Sequence, residues 1–354
     1  PENYSSNKSI AGKEVIFHVS LKGIQKNQLP ELNDDFAKNL EPKDKFASLE
    51  DMKLQIRSQL EEHARGDAHR EAKKIVAKKI TEMNLVSTKW LNSNLNKVKI
   101  FDASWHMPNS KRSAEEEYLE KHIPKAIFWN VDKHSDKDSS YPHMMPNSDY
   151  WTRMLWRFEI RNDDHIIVYD NSDIYSSCRL WFSLKYFGHE KVSVLDGGFQ
   201  KWLKEKKPTT KKIEKVEQID SYQTNENIDL IKNKKQIDEN IIKKEFTVID
   251  ARSRGRFEGS EPEPRKELKS GSIPNSICLP FKECINEDHS FKNKEQLLLK
   301  FKEVLGSKKL PVNLVFSCGS GITATVLSLA YSIINDKYFP KIYDGSWAEY
   351  GKIK

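Results

Sequence analysis

Hydrophobic and polar positions repeat one plan along the chain. A short strand ending in Asp-Ala is predicted at Val98–Ala103 (VKIFDA) and again at Phe246–Ala251 (FTVIDA). A second, more apolar strand is predicted at His165–Tyr169 (HIIVY) and at Val312–Phe316 (VNLVF). Short apolar strands that alternate with helical stretches are typical of βα units in a parallel sheet.

Each copy of this plan also ends in the same way. A strand and a glycine turn are predicted at Val192–Gly198 (VSVLDGG) and at Ile342–Gly345 (IYDG), and a tryptophan follows each of them, at Trp202 and Trp347. Such self-similarity indicates an internal repeat. We therefore expect an α/β protein with two tandem domains, each a mostly parallel sheet flanked by helices.

The limits of the two domains follow from local polarity. The copies occupy residues 83–205 and 232–354. Residues 206–231 lie in a stretch rich in Lys, Glu, Asn, Gln and Thr, which predicts a solvated linker leading into a helix. Residues 1–82 stand outside the repeat.

Composition narrows the classes of function. Lys and Arg exceed Asp and Glu by only 59 to 52, and the excess is spread along the chain, which does not favour a nucleic-acid surface. No apolar run approaches the roughly 20 residues of a membrane span. The spacing of Cys178, Cys278, Cys284 and Cys318 fits neither a disulfide scaffold nor a zinc site. A reducing cytoplasm is the expected location.

Cys318 occupies the most informative position of the four cysteines. It directly follows a predicted strand, in the loop Ser317–Ala324 (SCGSGITA), and an apolar helical run to Ile334 comes next. Glycines let successive backbone N–H groups turn inward, and a helix N-terminus adds positive potential, so a thiolate is stabilised there. A buried structural cysteine at a strand end is the competing interpretation. The local sequence leaves both open.

Four stretches resemble one known family. Ser317–Ala324 is similar to the active-site loop of mercaptopyruvate sulfurtransferases, which are tandem rhodaneses. Asp250–Arg265 (DARSRGRFEGSEPEPR), Leu195–Trp202 (LDGGFQKW) and Tyr343–Tyr350 (YDGSWAEY) match the family as well. The resemblance extends from Met83 to Lys354. It implies a catalytic second domain, in which Cys318 carries sulfur, after an inactive first domain with Asp170 in place of the cysteine.

The resemblance also implies how the substrate is bound. Arg256 and Arg265 would hold the carboxylate and the keto oxygen of 3-mercaptopyruvate, a task that suits planar guanidinium donors. Arg252 lies nearby in sequence, and we interpret it as part of a surface ion pair. The remaining substrate contacts would come from the loop Ser317–Ala324, here called the sulfur loop, at Gly319, Gly321, Ile322 and Thr323.

A proton relay is implied by the same family likeness. Asp132 and His143 lie in residues 130–146 (NVDKHSDKDSSYPHMMP) of the first copy, and they would join Ser320 of the second. A Ser-His-Asp set can move a proton to or from a reacting group. Because these residues come from both copies, we expect the active site in the cleft between the domains.

The implied reaction is a double displacement. Cys318 would take sulfur from 3-mercaptopyruvate, release pyruvate, and pass the sulfur to a thiol, to thioredoxin or to cyanide, with no metal or organic cofactor. A thiosulfate sulfurtransferase is the nearest alternative. Enzymes that prefer thiosulfate carry two basic residues where Gly319 and Ser320 stand here. A chaperone-like binding protein that acts through residues 1–82 is an alternative from another class.

Residues 1–82 resemble a different protein. Residues 12–36, with the charged helical run at 48–80, are similar to trigger factor, at the end of its peptidyl-prolyl isomerase domain and the start of its C-terminal arm. A lone strand and helix cannot form an isomerase cleft. Residues 12–22 alternate as a half-buried strand does. We therefore expect residues 1–82 to be one of two things. They are either a joined segment with no function of its own, which we favour, or an appendage that binds nascent chains or a partner.

Overall fold

The computed structural model describes residues 31–40, 45–61, 84–306, 310–335, 338 and 340–353. The chain forms two compact units, Pro1–Lys74 and Ile75–Lys354. No helix among these residues is long and apolar enough to cross a membrane.

The first unit contains two helices in its described part. Helix α1 (Asp34–Asn39) begins at Asn33, whose side chain accepts a hydrogen bond from the Phe36 N–H. Helix α2 covers residues 49–61, in agreement with that part of the predicted helical run. Ala37, Phe46 and Met52 form a small buried cluster. The strand predicted at residues 12–22 and the rest of the predicted helical run lie outside the described residues.

The second unit contains ten strands and ten α-helices among its described residues. The strands are β1 (Leu85–Val86), β2 (Lys99–Asp102), β3 (Ala126–Phe128), β4 (Ile166–Tyr169), β5 (Val192–Leu195), β6 (Ile231–Lys232), β7 (Thr247–Asp250), β8 (Ile277–Cys278), β9 (Leu314–Ser317) and β10 (Ile342–Tyr343). The helices are α3 (Thr88–Asn94), α4 (Ala114–Glu120), α5 (Ser148–Arg157), α6 (Ser177–Tyr186), α7 (Gly198–Lys204), α8 (Lys234–Lys243), α9 (Arg254–Glu258), α10 (Lys294–Leu305), α11 (Thr323–Ile334) and α12 (Ser346–Tyr350). Short 3₁₀ turns lie at Pro108–Ser110, Ile228–Leu230 and Phe281–Cys284.

The strands form two parallel sheets of the same design. Their orders are β1-β5-β4-β2-β3 and β6-β10-β9-β7-β8, so each strand of the first sheet has its counterpart five numbers later. All the strand pairs are parallel. The predicted α/β repeat is thereby confirmed. The central strands, β4 and β9, are buried along their whole length, which explains their uninterrupted apolar sequences.

The helices that follow the two central strands pack against each other. All eight residues from Ser177 to Leu184 of α6 are buried, and so are most residues of α11. One continuous hydrophobic cluster therefore runs through both domains. Functional groups in open α/β sheets gather beyond the carboxyl ends of the strands. The α6–α11 contact brings those ends of β4 and β9 to a shared interface.

The segment between the domains is anchored rather than free. Most of its side chains are exposed, as predicted for a solvated linker, but Tyr222 is fully buried and stacks on His189. The backbone N–H of Ile219 donates to the Trp156 carbonyl, and the Trp156 indole donates to the Tyr222 carbonyl at 2.9 Å. The segment thus lies along the first domain before it reaches α8.

Removal of the Tyr222 ring tests this anchoring. We expect Tyr222→Ala to lower the free energy of unfolding by about 3–5 kcal/mol, because a buried aromatic ring is lost and a cavity remains. Ile213→Ala, at a half-exposed site of the same segment, should change it by less than about 0.5 kcal/mol. Denaturant titration of both variants measures the difference, and equal effects would show that the linker is merely solvated.

Candidate active site

Cys318 lies at the carboxyl end of the central strand β9, where the chain turns into the loop before α11. Its backbone is held by the segment that follows β10. The Cys318 N–H donates to the Ser346 hydroxyl at 3.2 Å, and the Cys318 carbonyl accepts from the Trp347 N–H at 2.9 Å. The residue is only 2% exposed, yet it lines the cleft between the domains. The thiol is therefore fixed in position at the base of a cavity.

The loop beyond Cys318 presents free backbone donors. Among the described residues, none provides an acceptor for the N–H groups of residues 319–323. These groups precede α11, a helix of 12 residues whose N-terminal end carries positive potential. Unpaired N–H groups at a helix start bind anions. The arrangement predicted around Cys318 is thus present, and it can hold a thiolate or a persulfide anion.

In the equivalent loop of the first domain, the side chain of Asp170 binds the hydrogen-bond donors of the loop. Asp170 follows β4 as Cys318 follows β9. One carboxylate oxygen of Asp170 accepts from the N–H and the hydroxyl of Ser172, both at 3.0 Å, and the other accepts from the Ser177 N–H at 2.8 Å. Burial raises the pKa of this carboxyl. The first loop therefore has no free donors at these positions and no nucleophile.

Ser320, His143 and Asp132 form a chain across the domain boundary. His143 Nδ1 lies 2.9 Å from the Ser320 hydroxyl, and His143 Nε2 lies 3.1 Å from Asp132 Oδ1. Trp105 donates its indole N–H to the other oxygen of Asp132 at 2.8 Å. In the neutral tautomer that gives Asp132 a donor, Nε2 carries the proton and Nδ1 accepts from Ser320. The structure therefore brings the three predicted relay residues together.

The outer end of this chain is open to solvent. His143 is 4% exposed, whereas the Asp132 side chain is 62% exposed. Partial burial raises the pKa of Asp132, but hydrogen bonds from His143 and Trp105 outweigh it, and the pKa is lowered overall. Asp132, His143 and Arg265 also line a second cavity of about 430 Å³. A proton passed along the chain can thus reach water without crossing the cleft.

Arg256 is held by a buried network of charges. Its guanidinium binds both oxygens of Glu263, at 2.5 and 3.2 Å. Arg252 binds Glu263 at 2.6 Å and Asp250 at 2.7 Å. The positive charges of the two arginines are therefore balanced by the negative charges of the two carboxylates. Arg256 Nη2 would lie 3.2 Å from a Cβ at Gly319, so the absence of a side chain there leaves room for the guanidinium beside the loop.

The interpretation of Arg252 as part of a surface ion pair was wrong. Its side chain is 1% exposed and its guanidinium lies 4.3 Å from the centre of the Trp347 ring. The neighbouring carboxylates of Asp250 and Glu263 explain why a buried arginine is tolerated, since they balance its charge. Arg252 and Arg256 bind the same carboxylate, that of Glu263, so Arg252 helps to fix the position of Arg256.

Arg265 differs from Arg256 in its surroundings. It is half-buried, it lines the cleft, and it has no ion-pair partner among the described residues. Its positive charge is therefore not balanced locally. Lys282 lines the same cleft with an exposed side chain. An anionic substrate that enters the cleft meets Arg265 as a free charge and Arg256 as a rigid hydrogen-bond donor.

The cleft has a volume of about 500 Å³ and walls from both domains. Five of the predicted site residues in the sulfur loop line it, namely Cys318, Gly319, Ser320, Ile322 and Thr323. Gly321 does not line the cleft, although its N–H is one of the unpaired donors of the loop. It has a φ of +80°, and a Cβ there would lie 3.0 Å from the Asp344 carbonyl and 3.1 Å from Arg179. Gly321 is required by this close packing behind the loop.

Three contributors to the site were missed in the sequence. Trp105 lines the cleft and fixes Asp132, Phe281 adds an apolar wall, and Glu263 orients Arg256. The role of Glu263 could have been predicted, because it lies seven residues after Arg256 in the predicted binding segment and its carboxylate can form an ion pair with that arginine. Trp105 and Phe281 carried no such signal, since tryptophan and phenylalanine are common in cores.

The other three cysteines are unsuited to nucleophilic chemistry. Cys178 and Cys284 are fully buried. Burial raises the pKa of Cys284 to about 12 and that of Cys178 well above its ordinary range, and it raises the pKa of the half-buried Cys278 to about 11. These three thiols stay protonated near neutral pH. Cys318 is the cysteine that lines the cleft.

Comparison with known proteins places these features in context. Residues 87–205 match the model of the rhodanese-like domain. The chain is 36% identical to 3-mercaptopyruvate sulfurtransferase of Mus musculus and 37% identical to thiosulfate sulfurtransferase of Bos taurus, and each match covers 75% of this chain and 91% of the relative. The crystal structure of SseA from Escherichia coli, a 3-mercaptopyruvate sulfotransferase, is similar with a TM-score of 0.66 at 29% identity, covering 75% of this chain and 99% of that one.

Thiol labelling tests the special position of Cys318. We expect iodoacetate at neutral pH to alkylate Cys318 first in the folded protein, because the reagent is an anion and the cleft offers free N–H groups and Arg265. Cys178 and Cys284 should react only after unfolding. Peptide mapping by mass spectrometry identifies the labelled residue. Cys278→Ser should keep the fast labelling and Cys318→Ser should lose it; fast labelling of any other cysteine contradicts the assignment.

Proposed function

Because the chain belongs to the rhodanese family of sulfurtransferases, we propose that it moves sulfur from 3-mercaptopyruvate, through a persulfide on Cys318, to a thiol acceptor. The observation that carries the proposal is the meeting of three features in one cleft. They are a cysteine beneath unpaired N–H groups, an unbalanced arginine, and a serine joined to a histidine. Together they suit a small 2-oxo acid that carries a thiol.

The first half-reaction is a displacement at the substrate sulfur. The Cys318 thiolate attacks that sulfur, a bond forms between the two sulfur atoms, and the bond from sulfur to C3 of the substrate breaks. The electron pair of the broken bond stays on the three-carbon fragment as an enolate, which becomes pyruvate when C3 takes a proton. The persulfide anion then lies among the N–H groups of residues 319–323, which stabilise its charge.

The two arginines have different tasks in this step. The carboxylate of the substrate pairs with Arg265, whose charge has no other partner among the described residues. Arg256 is held by Glu263 and donates to the keto oxygen, where negative charge develops as the enolate forms. Because Glu263 fixes the guanidinium beforehand, little reorganisation is needed during the reaction.

The Ser320–His143–Asp132 chain handles the proton of the substrate thiol. His143 accepts it through Ser320, and Asp132 stabilises the imidazolium that results. The same groups can return a proton to C3 of the enolate. General acid–base catalysis of this kind contributes roughly 10²–10⁴-fold in rate.

The second half-reaction regenerates the enzyme. A thiolate acceptor, such as that of thioredoxin or of a small thiol, attacks the outer sulfur of the persulfide and releases the Cys318 thiolate. Cyanide can accept the sulfur in the same way and leaves as thiocyanate. These steps need neither a metal nor an organic cofactor.

Two properties of the loop favour 3-mercaptopyruvate over thiosulfate. Gly319 and Ser320 carry no charge, although thiosulfate is a dianion that would benefit from cations beside the cysteine. Thiosulfate also brings no thiol proton, so a Ser320–His143–Asp132 chain would have nothing to accept from it. The relatives include enzymes named for either donor, so the preference rests on these residues.

Steady-state kinetics with both donors tests the proposal. We expect kcat/KM for 3-mercaptopyruvate to exceed that for thiosulfate by about tenfold or more, the value of one charge-assisted hydrogen bond. Cys318→Ser should abolish transfer from both donors, because an alkoxide cannot form a persulfide. Cys178→Ala should retain most activity. Comparable rates with the two donors, or transfer by Cys318→Ser, would overturn the assignment.

Substitution of Arg265 tests how the substrate is held. Arg265→Met should raise KM for 3-mercaptopyruvate by roughly 10–150-fold, because a charged hydrogen bond to the carboxylate is lost. Lys282→Met removes a cation that lines the same cleft and serves as the control; it should change KM less than about threefold. Equal effects would mean that the cleft attracts the substrate only by its overall charge.

A further inference from the structure

Arg179 joins the two domains directly behind the sulfur loop. It lies in the first turn of α6, in the first domain, and is 4% exposed. Its Nη2 lies 2.7 Å from Asp344 Oδ1, as an ion pair rather than a linear hydrogen bond, and also donates to the His143 carbonyl. Its Nη1 donates to the Gly321 carbonyl at 3.3 Å. One guanidinium thus contacts three backbone or side-chain oxygens.

Two of these contacts adjoin the hydrogen bond between His143 and Ser320. The carbonyl of His143 belongs to the relay histidine itself, and Gly321 directly follows Ser320 in the loop. Both residues have a positive φ, +62° for His143 and +80° for Gly321. A left-handed conformation is uncommon for a residue other than glycine and costs free energy that neighbouring contacts must offset. Arg179 makes one of these contacts.

Asp344 completes the arrangement from the second domain. Its other carboxylate oxygen accepts from the Met145 N–H at 2.8 Å, two residues after His143. The segment that carries His143 is therefore fixed at two points: Arg179 binds the His143 carbonyl, and Asp344 binds the Met145 N–H. Because Arg179 and Asp344 also bind each other, the segment and the sulfur loop share one buried ion pair.

We infer that Arg179 is a positioning residue, which sets the distance between His143 and Ser320 and thereby the efficiency of proton transfer. The inference rests on the proposed function, in which that hydrogen bond acts. A guanidinium suits this task because it is planar, always charged, and has five donors in a fixed geometry. Lysine offers a single ammonium and cannot span the same three acceptors.

A second ion pair between the domains provides a matched control. Lys201 of α7 lies 2.7 Å from Asp288 of the second domain, and neither residue lines the cleft. Its loss removes a cross-domain ion pair without touching His143 or the sulfur loop. If Arg179 merely held the domains together, the two substitutions would change the kinetics alike.

A double-mutant cycle between Arg179 and His143 tests the inference. We expect Arg179→Met to lower kcat with 3-mercaptopyruvate by roughly 10–100-fold, part of the gain ascribed to acid–base catalysis. KM should stay within about twofold, because Arg265 binds the carboxylate. In a His143→Ala background, Arg179→Met should lower kcat less than about threefold further, since coupled residues are not additive. Lys201→Met should leave kcat within about twofold.

The outcomes separate the two ideas. An Arg179→Met effect of the same size in both backgrounds would overturn the positioning role, and so would a loss confined to KM. Full activity in Arg179→Lys would overturn it as well, because lysine cannot span the three acceptors. If Arg179→Met fails to fold, Asp344→Asn keeps the shape, removes the charge partner, and should show the same coupling to His143. Failure of the proposed function is seen separately, as no turnover of 3-mercaptopyruvate by the unaltered chain.

Discussion

The contact between α6 and α11 is the constraint on which the rest of the second unit depends. Each helix follows the central strand of its own sheet, and each is buried on nearly all sides because it packs on its sheet and on the other helix. The loops that precede them are consequently held at one interface. The thiol of Cys318, the His143 ring and Arg179 all lie within or beside those loops, so their alignment results from core packing.

The two sheets share one strand order, but the loops after their central strands differ in chemistry. In the first domain the Asp170 carboxyl group accepts hydrogen bonds from Ser172 and Ser177, so the donors around it are satisfied. In the second domain the donors remain free, and the corresponding side chain is Cys318. The first domain contributes instead through Trp105, which lines the cleft, and through His143 and Asp132, which line the second cavity and reach Ser320 from there. A single rhodanese-like domain could therefore supply Cys318 but not the Ser320–His143–Asp132 chain.

The sequence predicted the features that are local and repeated. Strands β2, β4, β5, β7, β9 and β10 were predicted, whereas β1, β3, β6 and β8 were not, because two or three residues carry no periodicity. Strand β10 is as short, but it was found through the glycine turn and the tryptophan that repeat those after β5. The sulfur loop was predicted because its residues are contiguous. His143 and Asp132 were found only through family resemblance, since their approach to Ser320 depends on tertiary packing. Arg179 was missed, although an arginine within the apolar run SCRLWFSL must have a partner if it is buried.

Direct detection of sulfur on Cys318 tests the central claim. The purified chain is incubated with 3-mercaptopyruvate in the absence of an acceptor, and its intact mass, its peptide map and the released pyruvate are measured. We expect a gain of one sulfur atom per chain, located on Cys318, with one pyruvate released, and loss of that sulfur when a thiol or cyanide is added. Sulfur on another cysteine, or pyruvate formed without bound sulfur, would contradict it.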